Sequence, residues 1–318
     1  MRVVVTGGAG FIGAHVCRYL AAQPYAEKVI ALDDLSTGSA ANLLDSGVAL
    51  VEGSILDRPL LRELIAEADA VIHLAARPSV PRSLADPAAT HEINATGTLN
   101  VLEACRARAG HLVVASSSSV YGSAAELPKH EELAARPMSP YAASKLATEA
   151  YALAYGAAFG LPVQVFRFFN VYGPLQPADH AYAAVVPAFV SAALRDRPLT
   201  IYGDGTQTRD FTYVGTVAQV LAETVANAVT SSMPVNLAFG SRVSLLDLVE
   251  RLSLILERPL AVEHRPARAG DVHDSQASND RLLRLFPAVR PVELGDGLRA
   301  TVHWLSRIES ASPGRPIR

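Results

Sequence analysis

Val3-Val4-Val5-Thr6-Gly7-Gly8-Ala9-Gly10-Phe11-Ile12-Gly13 is the stretch that decides the fold. A β-branched run makes residues 3–6 a strand. The three glycines at 7, 10 and 13 then give a G-x-x-G-x-x-G spacing where that strand turns into a helix over 11–22. Gly7 permits the tight turn, Gly10 lets backbone approach a phosphate, and Gly13 lets the helix pack on the strand. Free N–H groups and the helix dipole favour an anion there, so a pyrophosphate fits, with Phe11 and Ile12 in the same wall. About 20 residues on, at the end of a second strand over 28–32, stand Asp33 and Asp34, before a turn at Ser36-Thr37-Gly38. A carboxylate here accepts from ribose hydroxyls and repels a 2′-phosphate. The cofactor expected is therefore NAD rather than NADP.

Outward from this stretch, short apolar runs alternate with segments of helical period, the pattern of βα units around a parallel sheet. Strands are expected at 49–52, 70–75, 111–115 and 163–168, and helices at 59–66, 89–108 and 141–159. The predicted fold class is α/β: a Rossmann-type doubly wound parallel sheet with a smaller C-terminal α/β substrate-binding domain. Residues 1–173 form the NAD-binding part and 174–318 mainly the second part, with helices at 183–195 and 243–256. Strand 211–214 and helix 216–228 suggest that 208–230 returns to the sheet.

Half of the 318 residues are apolar, 19% are charged, and the net charge is −3. Lys and Arg are scattered, which speaks against nucleic acid and membrane surfaces and for a small-molecule partner. No apolar run reaches the roughly 20 residues of a membrane helix, and no signal peptide precedes the first strand, so a cytoplasmic location is expected. Cys17 and Cys105 fall in apolar helical patterns and are expected as buried thiols. The nine histidines show no metal-ligand spacing, His73 reads as a satisfied core residue, and Trp304 as core.

Tyr141-Ala142-Ala143-Ser144-Lys145 sets a phenol and an ammonium one helical turn apart on one face. A free phenol titrates near 10, and a neighbouring cation favours phenolate, so Lys145 is expected to acidify Tyr141. Upstream, Ser116-Ser117-Ser118-Ser119-Val120-Tyr121-Gly122 puts hydroxyls at the carboxyl end of a parallel strand, where open α/β sheets bind ligands.

Together with His73-Leu74-Ala75-Ala76, Arg167-Phe168-Phe169-Asn170-Val171-Tyr172-Gly173-Pro174, Gly203-Asp204-Gly205 and Arg209-Asp210-Phe211, these words make the chain resemble the extended short-chain dehydrogenases. Within that family it is similar, over nearly its full length, to the UDP-glucose and UDP-glucuronic acid 4-epimerase branch. The resemblance implies a UDP-sugar substrate, a homodimer through the 89–108 and 141–159 helices, and Tyr141, Lys145 and Ser117 as catalytic residues. It also implies that Asn170, Arg209 and Arg268 hold the diphosphate and that Asp271 holds its ribose. Ser79, Ser118, Ser119, Val186 and Tyr202 would line the sugar-nucleotide site. Leu74, Ala75, Ala76 and Asn94 would sit near the cofactor. The chain departs from the family at Glu52-Gly53-Ser54-Ile55, where Ser54 stands in place of the usual acid facing adenine, leaving Ile55 and Ala75 to flank the ring.

A 4,6-dehydratase relative carries an acid pair where Ser118 and Ser119 stand, and a UDP-glucuronate decarboxylase a glutamate at Ser119, so 4-epimerisation is the expected reaction. Small hydroxyls there tolerate a C6 carboxylate, which favours UDP-glucuronic acid over UDP-glucose and UDP-N-acetylglucosamine; they would equally bind a C6 alcohol. From a different class, a non-catalytic dinucleotide sensor would be expected to have lost Tyr141 or Lys145, and both are present.

Overall fold

The computed structural model describes residues 1–108, 110–178, 183–266 and 273–311. Six strands expected from the sequence form as β1 (Arg2–Thr6), β2 (Lys28–Asp33), β3 (Ala49–Glu52), β4 (Ala70–His73), β5 (His111–Ser117) and β6 (Val163–Phe168). A seventh, Val235–Leu237, pairs parallel with β6 at the sheet edge. From that edge the order is β6, β5, β4, β1, β2, β3, all parallel. The order reverses between β4 and β1, and in such sheets the crevice outside the strand ends at the reversal is where ligands bind.

Side-chain alternation along the strands builds two cores. On one face Val3, Val5, Ile72, Val113 and Phe166 pack against Val16 and Leu20 of α1 (Phe11–Ala21) and against Val217 and Leu221 farther along the chain. On the other, Val4, Val71, Leu112, Val114 and Val165 meet Leu61 and Ile65 of α2 (Arg58–Ile65). Such doubly covered strands read as unbroken apolar runs, as Val3–Val5 and Ala70–Ile72 do. Cys17 and Cys105 lie in these cores as free thiols, and burial pushes both up, Cys105 to about 12.

The helix expected over 89–108 is instead a series. After α3 (Val80–Ala85), α4 (Pro87–His91) leads through one π turn at Glu92–Thr96 into α5 (Gly97–Arg108). The turn has a visible cause: the Asn94 carbonyl accepts from the Thr98 and Thr148 hydroxyls, and its side chain is tied to Arg77 and Ser144. A π turn frees a carbonyl for such partners.

Helix α6 (Pro140–Phe159) starts sharply. Ser139 caps the Ala142 N–H at 3.1 Å, Pro140 occupies the first turn, and Gly160, with φ 67°, ends the helix. Beyond β6 a third core gathers Tyr172, Phe189, Leu199, Ile201, Leu248 and Leu298 around α7 (Val185–Leu194), with Trp304 packed against it. Leu199–Tyr202 pairs with Val262–Arg265 there. The strand expected at 211–214 shrinks to Thr212–Tyr213, and α8 (Val214–Ala226) returns to pack on α1. Among the described residues no helix is long and apolar enough to cross a membrane.

Candidate active site

The glycine turn after β1 has no room for side chains. A Cβ on Gly7, which sits at φ 70°, would lie 2.7 Å from the Ala75 amide nitrogen, and one on Gly13 would lie 2.0 Å from the Gly7 carbonyl oxygen. The turn is thus packed down on the end of β4, and a cleft of about 840 Å³ opens along the strand ends, floored by Gly7, Gly10 and Gly13. Phe11, Ile12, Leu74, Ala75 and Ala76 continue its wall, as do Ser36 and Ile55.

Asp33 and Asp34 both reach this cleft but act differently. Asp33 is buried, its two oxygens accepting from the Ala9 and Leu35 N–H groups at 2.9 Å each. Burial pushes its carboxyl above the usual range, opposed by those hydrogen bonds. It braces the glycine turn from β2. Asp34 accepts only from the Ser36 N–H and hydroxyl on one oxygen, Oδ1, and is the more open carboxylate.

At the far end of the cleft stand Ser117, Ser118, Tyr141 and Lys145, with Asn170. The strand end of β5 and the first turn of α6 meet here. Ser117 Oγ accepts from the Ser119 N–H at 3.2 Å and from the Ser119 hydroxyl at 2.9 Å. A hydroxyl has two lone pairs and one proton, so with both acceptor sites filled its proton is left to donate to Tyr141. That hydrogen bond lowers the Tyr141 phenol, while burial raises it more, and the net displacement is upward.

The acidifying contact within the chain comes from Ser117, whereas the buried Lys145 ammonium donates to the Ala115 carbonyl at 2.8 Å and is itself brought down to about 8 by burial. Helix position helps the phenolate as well, since Tyr141 lies in the first turn of α6, at the positive end of its dipole.

A second cleft of about 500 Å³ adjoins the first, the two sharing Asn170, Val171 and Gln176. Val186, Tyr202 and Arg209 line it, together with Arg195, Arg197 and Gln207. The Arg209 guanidinium donates to the Thr208 and His273 carbonyls, and Asn170, at φ 22°, donates to the Asp210 carbonyl at 3.1 Å. Backbone contacts so fix both side chains at the cleft.

A model of the NAD-dependent epimerase/dehydratase family matches residues 3–238. The chain belongs to that family. A UDP-glucose 4-epimerase of Mycolicibacterium smegmatis is 35% identical over 312 residues, covering 96% of this chain and 98% of that one. Among solved structures, a UDP-N-acetylglucosamine 4-epimerase of Methanobrevibacter ruminantium in complex with UDP-N-acetylmuramic acid superposes with a TM-score of 0.91. It is 34% identical and covers 96% of this chain and 98% of its own. A dTDP-glucose 4,6-dehydratase of Streptomyces venezuelae with NAD bound gives 0.89 at 32% identity, covering 98% of each chain. The fold and the NAD dependence are those of the family.

Several residues expected at the site are engaged by their own neighbours and do not themselves line a cleft. Gly38 packs against the Ala9 backbone and Asp33, and the Ser54 hydroxyl accepts from the Leu56 N–H. Ser79, at φ 94°, caps α3; Asn94 is buried in the helix packing; Ser119 is turned to Ser117. None of these five lines either cleft. Arg268 and Asp271 lie outside the described residues. His73 is buried between the Thr6 and Thr98 hydroxyls, and burial, aided by the Lys145 charge, brings it down to about 3 and keeps it neutral. Sequence reasoning overlooked Arg77, Arg82 and Gln176 in the cleft walls. Gln176, two residues past the Tyr172-Gly173-Pro174 word, carried the one signal that would have found it.

Proposed function

We propose that this member of the family is a UDP-sugar 4-epimerase that inverts C4 of the hexose through a 4-keto intermediate. The observation that carries this reading is the meeting of Ser117 and Tyr141 at the end of β5, with Ser118 and Ser119 following where relatives that eliminate or decarboxylate have acids. Bound NAD supplies the acceptor and donor of hydride at C4. The first cleft fits it, because its floor is a cradle that any Cβ would fill and Asp34 stands at the ribose end.

Tyr141 as phenolate takes the proton from the 4-hydroxyl as C4 becomes a carbonyl, and Ser117 turns its one hydroxyl proton from Tyr141 to the same oxygen. The ketone then turns over in the pocket, and Tyr141 returns the proton once the opposite face has been reduced. Lys145, largely protonated below pH 8, adds positive charge to that wall. The second cleft takes the UDP, with Arg209 and Asn170 at its diphosphate and Val186 and Tyr202 along its length; Arg268 and Asp271 are assigned to the same task on sequence grounds. A grip on UDP with looser hold on the sugar is what turnover of the ketone needs.

UDP-glucuronic acid is our first choice of substrate, ahead of UDP-glucose and UDP-N-acetylglucosamine, since no acid follows Ser117. The division into a cofactor part (1–173 with 208–230) and a sugar-nucleotide part (174–318) belongs to the same reading, as does a cytoplasmic homodimer joined through α5 and α6, where Tyr151 and Phe159 leave apolar surface exposed. Incubation with each of the three nucleotide-sugars, followed by resolution of the products, tests the reaction. C4 epimers are expected. A 4-keto-6-deoxy sugar or a pentose would establish the dehydratase or decarboxylase alternative, and no conversion of any of them would favour a dinucleotide sensor.

A further inference from the structure

Beneath the site lies a buried ion pair that the proposed chemistry does not use. Glu149 and Arg167 each have 5% of the side chain exposed, and the guanidinium meets the carboxylate at 2.6 and 2.9 Å through two nitrogens. Arg167 sits on β6 opposite Ser116 of β5, and the Ser116 hydroxyl donates to the same Glu149 carboxylate at 2.9 Å. Arg167 also lies over the Tyr121 ring, 4.6 Å from its centroid, and the Tyr121 hydroxyl donates to Asn236 in the edge strand.

The spacing on α6 gives this pair its place. Tyr141, Lys145 and Glu149 follow at four-residue intervals and so share one helix face. They address three consecutive residues at the end of β5: Lys145 holds the Ala115 carbonyl, Glu149 holds the Ser116 hydroxyl, and Tyr141 meets Ser117. Side chains alternate along a strand, so tying Ser116 toward α6 sends Ser117 to the opposite face. There it can reach the phenol only from over the strand end. The end of β5 is held by β6 alone, since pairing with β4 stops at Val114, and it runs straight into a 3-10 turn over Ser118–Tyr121; a slip of one residue there would reverse both faces. A buried ion pair is seldom kept for stability, because an apolar pair of similar volume often does as well.

We propose that Glu149, held by Arg167, is a positioning residue that fixes the end of β5 through Ser116 so that Ser117 stays within hydrogen-bond reach of Tyr141. The inference rests on the reading of Ser117 and Tyr141 as the catalytic pair.

Ser116→Ala removes the link and leaves the ion pair intact; Glu149→Met with Arg167→Met removes the pair without stranding a charge. With the best of the three nucleotide-sugars, Ser116→Ala is expected to lower kcat roughly 10-fold while KM stays within twofold, because small misplacements of reacting groups cost rate steeply, and loss of a buried hydrogen bond should lower the thermal midpoint by a few degrees only. The double variant should lose at least as much kcat. Crystal structures of wild type and Ser116→Ala should show Ser117 Oγ drawn away from the Tyr141 hydroxyl in the variant. Wild-type kcat in Ser116→Ala, or an unmoved Ser117–Tyr141 contact in its crystal structure, would overturn the inference. If the double variant fails to fold, Ser116→Ala decides alone. If wild type converts none of the three sugars, the proposed function fails, and the crystallographic comparison still decides the positioning role.

Discussion

The two clefts of this molecule are built in different ways. The first is made at the ends of neighbouring parallel strands, from residues that follow one another in short words: Gly7 to Gly13 after β1, Asp33 and Asp34 after β2, Leu74 to Ala76 after β4, Ser116 to Ser118 at β5. The second is assembled from separate segments between Asn170 and Leu245, joined by two-residue strand pairs and held by backbone carbonyls. Where backbone geometry does the work, spacing is fixed and one glycine suffices to specify a contact. Where side chains from distant segments converge, no spacing announces them. On the proposed reading the first cleft is the place for chemistry and the second for grip, and changes in them should separate kcat from KM.

The largest separation should come from Tyr141→Phe. Loss of the proton-transfer group should lower kcat by about 10²- to 10⁴-fold with KM and thermal midpoint little changed. A rise in KM at undiminished kcat would place the tyrosine among the gripping residues instead.

Lys145 offers a pH test of the same wall. Its folded pKa is depressed from 10.5 to about 8 by burial, so between those values the unfolded chain binds more protons than the folded one. Folding stability should therefore gain roughly 3 kcal/mol from this group as pH rises from 8 to 10.5, and nothing further below 8, where both states are protonated. Urea titrations of wild type against Lys145→Met should show that gain in wild type alone.

In the second cleft, Arg209→Met removes a charge expected at the diphosphate. A charge-assisted hydrogen bond contributes about 1.5–3 kcal/mol, so KM should rise roughly 10- to 100-fold with kcat within a few-fold in steady-state kinetics. The smallest effect belongs to Ser119→Ala, which empties one acceptor site on Ser117 and leaves the Ser119 N–H in place. A fall in kcat of about 2- to 10-fold at constant KM is expected, while a KM effect would return Ser119 to the sugar.

Legibility in the sequence followed the same divide. β1, β2 and β4 were readable because strands covered on both faces are unbroken apolar runs, β3, β5 and β6 by their place in the strand–helix rhythm, and the glycine turn because only glycine fits it. The edge strand Val235–Leu237 was not, since three residues after Met233-Pro234 carry no period and its pairing with β6 is non-local. The π turn within 92–96 was hidden because it answers to the Ser144 and Thr148 hydroxyls, 50 and 54 residues from Asn94 on α6. Ser119 and Asn94 were placed near the ligand by analogy, and no spacing announced the hydrogen bonds they make to Ser117 and to Arg77 and Ser144. Glu149 was overlooked altogether, although it stands one further turn along the Tyr141–Lys145 face; the partner that explains it, Arg167, is on another strand.

The central claim is that the same carbon is oxidised and re-reduced beside one phenol, so the most direct measurement follows a deuterium placed at C4 of UDP-glucuronic acid, with UDP-glucose and UDP-N-acetylglucosamine in parallel. The account predicts C4-inverted product that keeps the label at C4 and takes up no hydrogen from solvent there. Inverted product whose C4 label has been lost to water would contradict it.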